Sequence, residues 1–309
     1  EPVGGWWIEP DCNVPSGESF ARQALYGQRY FREKFGNPPR VGYAVDSFGH
    51  NAALPQLLKQ GGLDAYVFMR PGPHEKGLPG RLFWWEADDG SRVLAYRLPF
   101  QYGSWGQNLE PHVRRCADEM KAPVDRLACF YGVGNHGGGP TRENIATLHR
   151  LQGAPDLPRL TFSTLSRFFD AVRKEAWPLP VVHDELQHHA SGCYAAHSGI
   201  KRWNRRAENA LLRAEKWSAV AALATGLTYP AEAFERAWKN VLFNQFHDIL
   251  AGTSLEEAYD DARDLYGEAL AIADRALNAA VQSLAWSLDI PQIPGATRGV
   301  VFNPQAWGT

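Results

Sequence analysis

The chain changes character near residue 180: before it, short apolar runs alternate with helical periods, and after it only helical periods remain. Residues 18–35 have helical spacing behind Ser16, a suitable N-cap, and stop before Pro38-Pro39. RVGYAV (40–45) and DAYVF (64–68) read as short buried strands, with a helix at 52–60 between them. LFWWEA and RVLAYRL flank Asp88-Asp89-Gly90-Ser91, a turn signal that predicts a hairpin set among the units. A helix at 111–120, a strand at 127–131, a helix at 141–151, a strand at 160–162 and a helix at 165–174 continue the series. Repeated strands and helices predict an α/β sheet or barrel.

Past WPLPVV, residues 205–224 put Ala207, Leu211, Ala214, Trp217 and Ala221 on one stripe, and residues 231–246 do the same with Phe234, Trp238, Val241 and Gln245. The longest pattern steps through Ala258, Ala262, Leu265, Ala269, Ala273, Leu277, Ala280 and Leu284. Three such helices can cover one another's apolar faces as a bundle. The tail GATRGVVFNPQAWGT reads as the first strand of a further domain.

The 309 residues, 44% hydrophobic and 21% charged, can bury a large core. With 32 Lys and Arg against 34 Asp and Glu, the net charge of -2 offers no basic field for nucleic acid or an anionic membrane. No run reaches the ~18 apolar residues of a membrane span, so a soluble chain is expected. Cys12, Cys116, Cys129 and Cys193 are far apart without a C-x-x-C, which favours reduced thiols and a cytoplasmic setting over a disulfide frame or a thiolate zinc site. The 11 Trp suit sugar-binding faces and core packing equally.

Three segments carry candidate chemistry. Asp46 ends the RVGYAV strand, where the loops of α/β folds build their sites, although an Asp there also caps helices. His247-Asp248, in NQFHDILAGTS, is either a packed pair or part of a transition-metal site. GVGNHGGGPT contains G-x-G-x-x-G at Gly132, Gly134 and Gly137, but the next expected strand ends Phe162-Ser163-Thr164 without a ribose-binding carboxylate. A dinucleotide is therefore disfavoured; the glycines more simply admit a ligand close to backbone, with Asn135 and His136 projecting toward it.

Taken in order, GGWWIEPDCNVPSGES with Arg22-Gln23, VDSFGH, GNHGGGPT, KRWNRRAE and FNQFHDILAGTS resemble the signature segments of glycoside hydrolase family 38, the retaining alpha-mannosidases, over nearly the whole chain. The resemblance implies an incomplete seven-stranded (β/α) barrel at 1–188, a three-helix bundle at 189–290 and the start of a β-sandwich domain at 291–309. It implies that Asp46 is both nucleophile and zinc ligand, that His247 is a second zinc ligand, and that Phe48, Arg70 and Asp248 lie around the mannose ring of an alpha-mannoside or mannose-containing glycan, the ligand that Asn135 of the glycine-rich loop would then face. Many members carry Asp in the glycine-rich loop where the acid is expected; this chain has Asn135-His136, and His136 is the residue there able to donate a proton near neutral pH.

The family's other two zinc ligands form a His-x-Asp pair on the first barrel strand, expected ahead of Glu1. The chain is thus expected to be the middle of a longer protein, inactive alone and binding zinc weakly or not at all. A non-catalytic sugar-binding remnant without a working acid is the alternative, and a homo-oligomer stays open.

Overall fold

In the computed structural model, which describes residues 1–104, 108–134, 138–305 and 307, the alternating first part folds around one five-stranded sheet. The chain divides into two units, residues 1–13 with 23–191 and residues 14–22 with 192–309.

In the first unit β1 (Val41–Ala44), β2 (Ala65–Phe68), β3 (Leu82–Glu86), β4 (Arg92–Arg97) and β5 (Val181–Val182) lie in the order β1-β2-β4-β3-β5. β1, β2 and β4 run parallel, while β3 and β4 form the expected hairpin, pairing from Leu82 with Tyr96 to Glu86 with Arg92. Its turn closes as its residues dictate: Gly90 takes the positive φ of 81° and Asp89 Oδ1 accepts from the Ser91 amide at 2.9 Å. All of β2 is buried, which explains its unbroken apolar run. Alternation sends Ala65 and Val67 into a core with Phe168, Phe169 and Val172, whereas Tyr66 and Phe68 stack on each other beside Trp85 and Phe83. Around the sheet are α1 (Gly17–Phe35), whose first residues count with the second unit, α2 (Leu54–Gln60), α3 (Glu110–Asp118), α4 (Arg142–Leu151) and α5 (Leu165–Glu175).

Two expected strands join no ladder among the described residues. In residues 127–131 the carbonyls a neighbouring strand would take are used by side chains: Ala128 O accepts from Tyr96 Oη at 2.8 Å, and Phe130 O lies 2.7 Å from His112 Nε2. In residues 160–162, Leu160 O accepts from Gln152 Nε2 at 3.3 Å. Apolar content marked these segments for packing, but a strand also needs a partner edge. The tail likewise forms no strand among its described residues; Phe302 packs edge-on against Trp217, with ring centroids 5.1 Å apart.

The second unit holds α6 (Ser198–Thr225), α7 (Ala231–Phe243), the short α8 (His247–Leu250) and α9 (Glu256–Trp286). Ala207, Leu211, Ala214 and Ala221 of α6 are buried, as are Phe234, Trp238 and Val241 of α7 and Ala262, Ala269, Ala273 and Ala280 of α9. On α9 Tyr266 and Ile272 are buried in place of the expected Leu265 and Leu277, because the buried stripe turns along so long a helix. α6 stops at Gly226, whose φ of 77° is the left-handed cap a glycine supplies.

Three of the signature segments meet inside this unit, at a buried polar knot. Ser16 caps α1 by accepting from the Ser19 amide at 3.2 Å, and its own amide donates to Glu208 Oε1 at 2.9 Å. Glu208, 1% exposed, also receives Ser19 Oγ at 2.6 Å and Arg205 Nη1 at 2.6 Å. Gln245 donates to Ser19, Asn204 and Glu208. Arg22 grips Glu215 with both terminal nitrogens and lies 4.1 Å from the Trp238 ring centroid. These motif positions of SGES, KRWNRRAE and FNQ hold the fold by giving the buried Glu208 carboxylate partners on both oxygens.

Candidate active site

Parallel pairing of β1 with β2 sets Ala44 opposite Phe68, so the residues two beyond each strand, Asp46 and Arg70, leave the sheet side by side. Arg70 Nη1 donates to Asp46 Oδ1 at 2.9 Å and to the Asp46 carbonyl at 3.0 Å. The two side chains are 29% and 27% exposed, so the ion pair faces an opening. The Asp46 amide donates to Glu9 Oε1 at 2.9 Å, and the guanidinium stands 5.7 Å over the Phe48 ring. Tyr102 hydrogen-bonds to Asp46; burial first, then that carboxylate, raises its phenol above the ordinary range. Tyr43 is raised likewise, by burial and then by Glu9 and Asp46.

A cavity of about 180 Å³ is walled by Met69, Arg70, Gln101, Tyr102, Gly103 and Gly134, so the glycine-rich loop reaches the Arg70 side of this group. A Cβ on Gly138 would come within 2.2 Å of Val133 O, and one on Gly132 within 2.9 Å of Pro140 N: these glycines let the loop fold on itself. Asn135 and His136 lie outside the described residues.

Phe48 touches a second chain of groups that the sequence reading missed. His189 has its ring 5.8 Å from Phe48, and its Nδ1 is 2.6 Å from Glu75 Oε1. Burial pushes the Glu75 carboxyl up, but the Gly72 amide and His189 outweigh it and hold it low. Nothing in the sequence flagged Glu75, Tyr102 or His189, which sit in loops without a recognisable spacing, and Glu9 lay unremarked within GGWWIEPDCNVPSGES.

His50 is fully buried beneath Arg70. Its Nε2 meets the Arg70 carbonyl at 2.8 Å, an acceptor only, so that nitrogen carries the proton and Nδ1 accepts from Tyr66 Oη at 2.8 Å. Burial lowers its pKa to about 4. An unfolded His titrates near ~6.5, so only the unfolded chain binds this proton between the two values, and stability falls as pH drops through the window. The expected slope is about 1 kcal/mol per pH unit from this site. Urea unfolding from pH 7 to pH 5 of the chain and of His50→Gln checks it: the variant should be less stable at pH 7 yet lose less on acidification, and parallel curves would refute the assignment.

In the second unit His247 opens α8 and is 5% exposed, with Phe246 ring to ring at 4.2 Å and Asp248 Oδ2 4.0 Å from Nε2. Asp248 is half-exposed and accepts from Thr253 Oγ1 at 3.0 Å, which closes the turn before α9. A buried imidazole with a carboxylate near one ring nitrogen is a usual metal-ligand setting. Among the described residues no helix is long and apolar enough to cross a membrane, and no disulfide joins any of the four cysteines.

Residues 1–195 match the family described as "Glycosyl hydrolases family 38 N-terminal domain", and residues 188–284 match "Alpha mannosidase middle domain". The chain is 33% identical over 311 residues to "Alpha-mannosidase 2C1" of Mus musculus, covering 99% of this chain and 29% of that protein. It is 31% identical over 273 residues to "Alpha-mannosidase" of Saccharomyces cerevisiae, covering 83% of this chain and 25% of that protein. The chain thus spans less than a third of the curated relatives it matches. Among solved structures, an alpha-mannosidase from Enterococcus faecalis V583 shares the fold with a TM-score of 0.78 at 24% identity, over 92% of this chain and 34% of that one.

Proposed function

This chain belongs to glycosyl hydrolase family 38, and on that premise we propose that it is the catalytic core segment of a zinc-dependent, retaining alpha-mannosidase that removes terminal alpha-linked mannose from mannosides or glycans. We assign residues 1–188 to the catalytic α/β domain, 189–290 to the helical bundle and 291–309 to the start of a β domain. The observation that carries the reading is the partly exposed Asp46 carboxylate, held by Arg70 at the carboxyl edge of the parallel strands.

Asp46 attacks the anomeric carbon, the glycosidic C–O bond breaks, and the leaving oxygen takes a proton from His136; water then hydrolyses the glycosyl-enzyme. Arg70 orients Asp46 through Oδ1 and the Asp46 carbonyl. Phe48 offers an apolar ring face to the sugar, and Asn135 and Asp248 supply polar contacts to its hydroxyls. Asp46 and His247 provide a carboxylate oxygen and an imidazole nitrogen, donors of the kind zinc accepts. When bound, zinc would act as a Lewis acid toward the sugar's hydroxyl oxygens and so help to hold the ring in place for attack. A catalytic zinc takes about three protein ligands, so the complete protein supplies the rest and this chain alone turns over no substrate. Free thiols support a reducing, cytoplasmic setting.

The test uses the complete protein on an aryl alpha-mannoside. Chelation should abolish turnover and added zinc should restore it, while this 309-residue chain stays inactive throughout. Mannoside binding without turnover of so activated a substrate would instead mark a sugar-binding remnant; chelator-resistant turnover would remove zinc from the mechanism.

A further inference from the structure

A second group of ligating side chains lies apart from Asp46. His112 and Cys116 stand one helical turn apart on α3, and the segment that failed to join the sheet brings Cys129 against them. Ligand atoms of His112, Cys116 and Cys129 all lie within 4.8 Å of one another, and His112 Nε2 is 3.8 Å from Cys116 Sγ. A tetrahedral zinc, with bonds of about 2.0–2.3 Å, sets its ligands roughly 3.5–3.8 Å apart, so these donors need only a small contraction. Both thiols are free. Cys116 and Cys129 also line a cavity of about 990 Å³ shared with Leu160 and Phe168, room for a water as fourth ligand.

We propose that His112, Cys116 and Cys129 form a metal site for a thiolate-preferring divalent cation of the zinc class, distinct from any ion at Asp46. Binding releases the two thiol protons to solvent, and His112 either gives up its bond to the Phe130 carbonyl or turns to present its other nitrogen. The ion would clip α3 to residues 127–131, a segment held by side chains in place of a strand ladder.

Zinc titration by heat would not separate this site from one at Asp46 and His247, but sulfur does. The reduced, metal-free chain should take up one equivalent of Co²⁺ with a thiolate-to-cobalt charge-transfer band that Zn²⁺ then displaces. Cys116→Ser and Cys129→Ser should each lose the band, Cys193→Ser and Asp46→Asn should keep it, and His112→Gln should weaken binding by roughly tenfold or more. Should either serine variant misfold by circular dichroism, Zn²⁺ should still protect Cys116 and Cys129 of the unaltered chain from alkylation. No charge-transfer band, a band that survives in folded Cys116→Ser, or alkylation indifferent to Zn²⁺ would overturn the site. None of these outcomes depends on mannoside turnover.

Discussion

Asp46→Asn in the complete protein is expected to lower turnover of an aryl alpha-mannoside by roughly 10⁴-fold or more, with the fold intact. The amide keeps the side chain's size, its Oδ1 still accepts from Arg70 Nη1, and the backbone amide still donates to Glu9. What it loses is the carboxylate oxygen to which the proposed mechanism gives the attack on the anomeric carbon. Stability should hardly change, because a partly exposed ion pair contributes only about 0–1 kcal/mol. Steady-state kinetics beside thermal unfolding of both proteins separates these effects. Turnover within tenfold of the parent would remove Asp46 as nucleophile, while a large fall in melting temperature would show that the carboxylate acts on the fold instead.

Glu208→Ala should produce the largest loss of stability, about 3 kcal/mol or more, with a fall in melting temperature of roughly 10 °C. Glu208 is fully enclosed, and its removal strands the Ser16 amide and the Ser19 hydroxyl that now donate to it, while the Gln245 amide keeps Ser19 and Asn204 as acceptors. Each buried donor without an acceptor costs about 1–3 kcal/mol, and a cavity adds to that. Glu208→Gln should cost less, because its carbonyl oxygen still accepts while the charge-assisted bond to Arg205 is lost. Calorimetry of the three proteins measures this series; equal melting temperatures would show that the knot is solvated in solution.

The two substitutions separate roles that the motifs left mixed. VDSFGH and KRWNRRAE both contributed to the family resemblance, yet in VDSFGH Asp46 is partly exposed beside Arg70, whereas in KRWNRRAE Glu208 is sealed among serines and glutamine. Residue type and spacing do not distinguish an available carboxylate from a satisfied one. Burial and partner count do.

Read alone, the sequence determined what local stereochemistry governs: the helical stripes through Ala207, Leu211 and Ala214, the Asp88–Ser91 hairpin, the Ser16 cap and the parallel strands on either side of α2. Period, turn residues and caps act over a few positions, so they are written in consecutive letters. The tertiary structure alone decided which polar groups meet. It put Ser16 beside Glu208 across 192 positions, brought Cys129 to His112 and Cys116 without a C-x-x-C, surrounded Asp46 with Glu9, Arg70 and Tyr102, and left residues 127–131 without a strand partner among the described residues. Such pairings depend on distance in space and on exclusion of water, and both arise only after the apolar stripes and strands have packed.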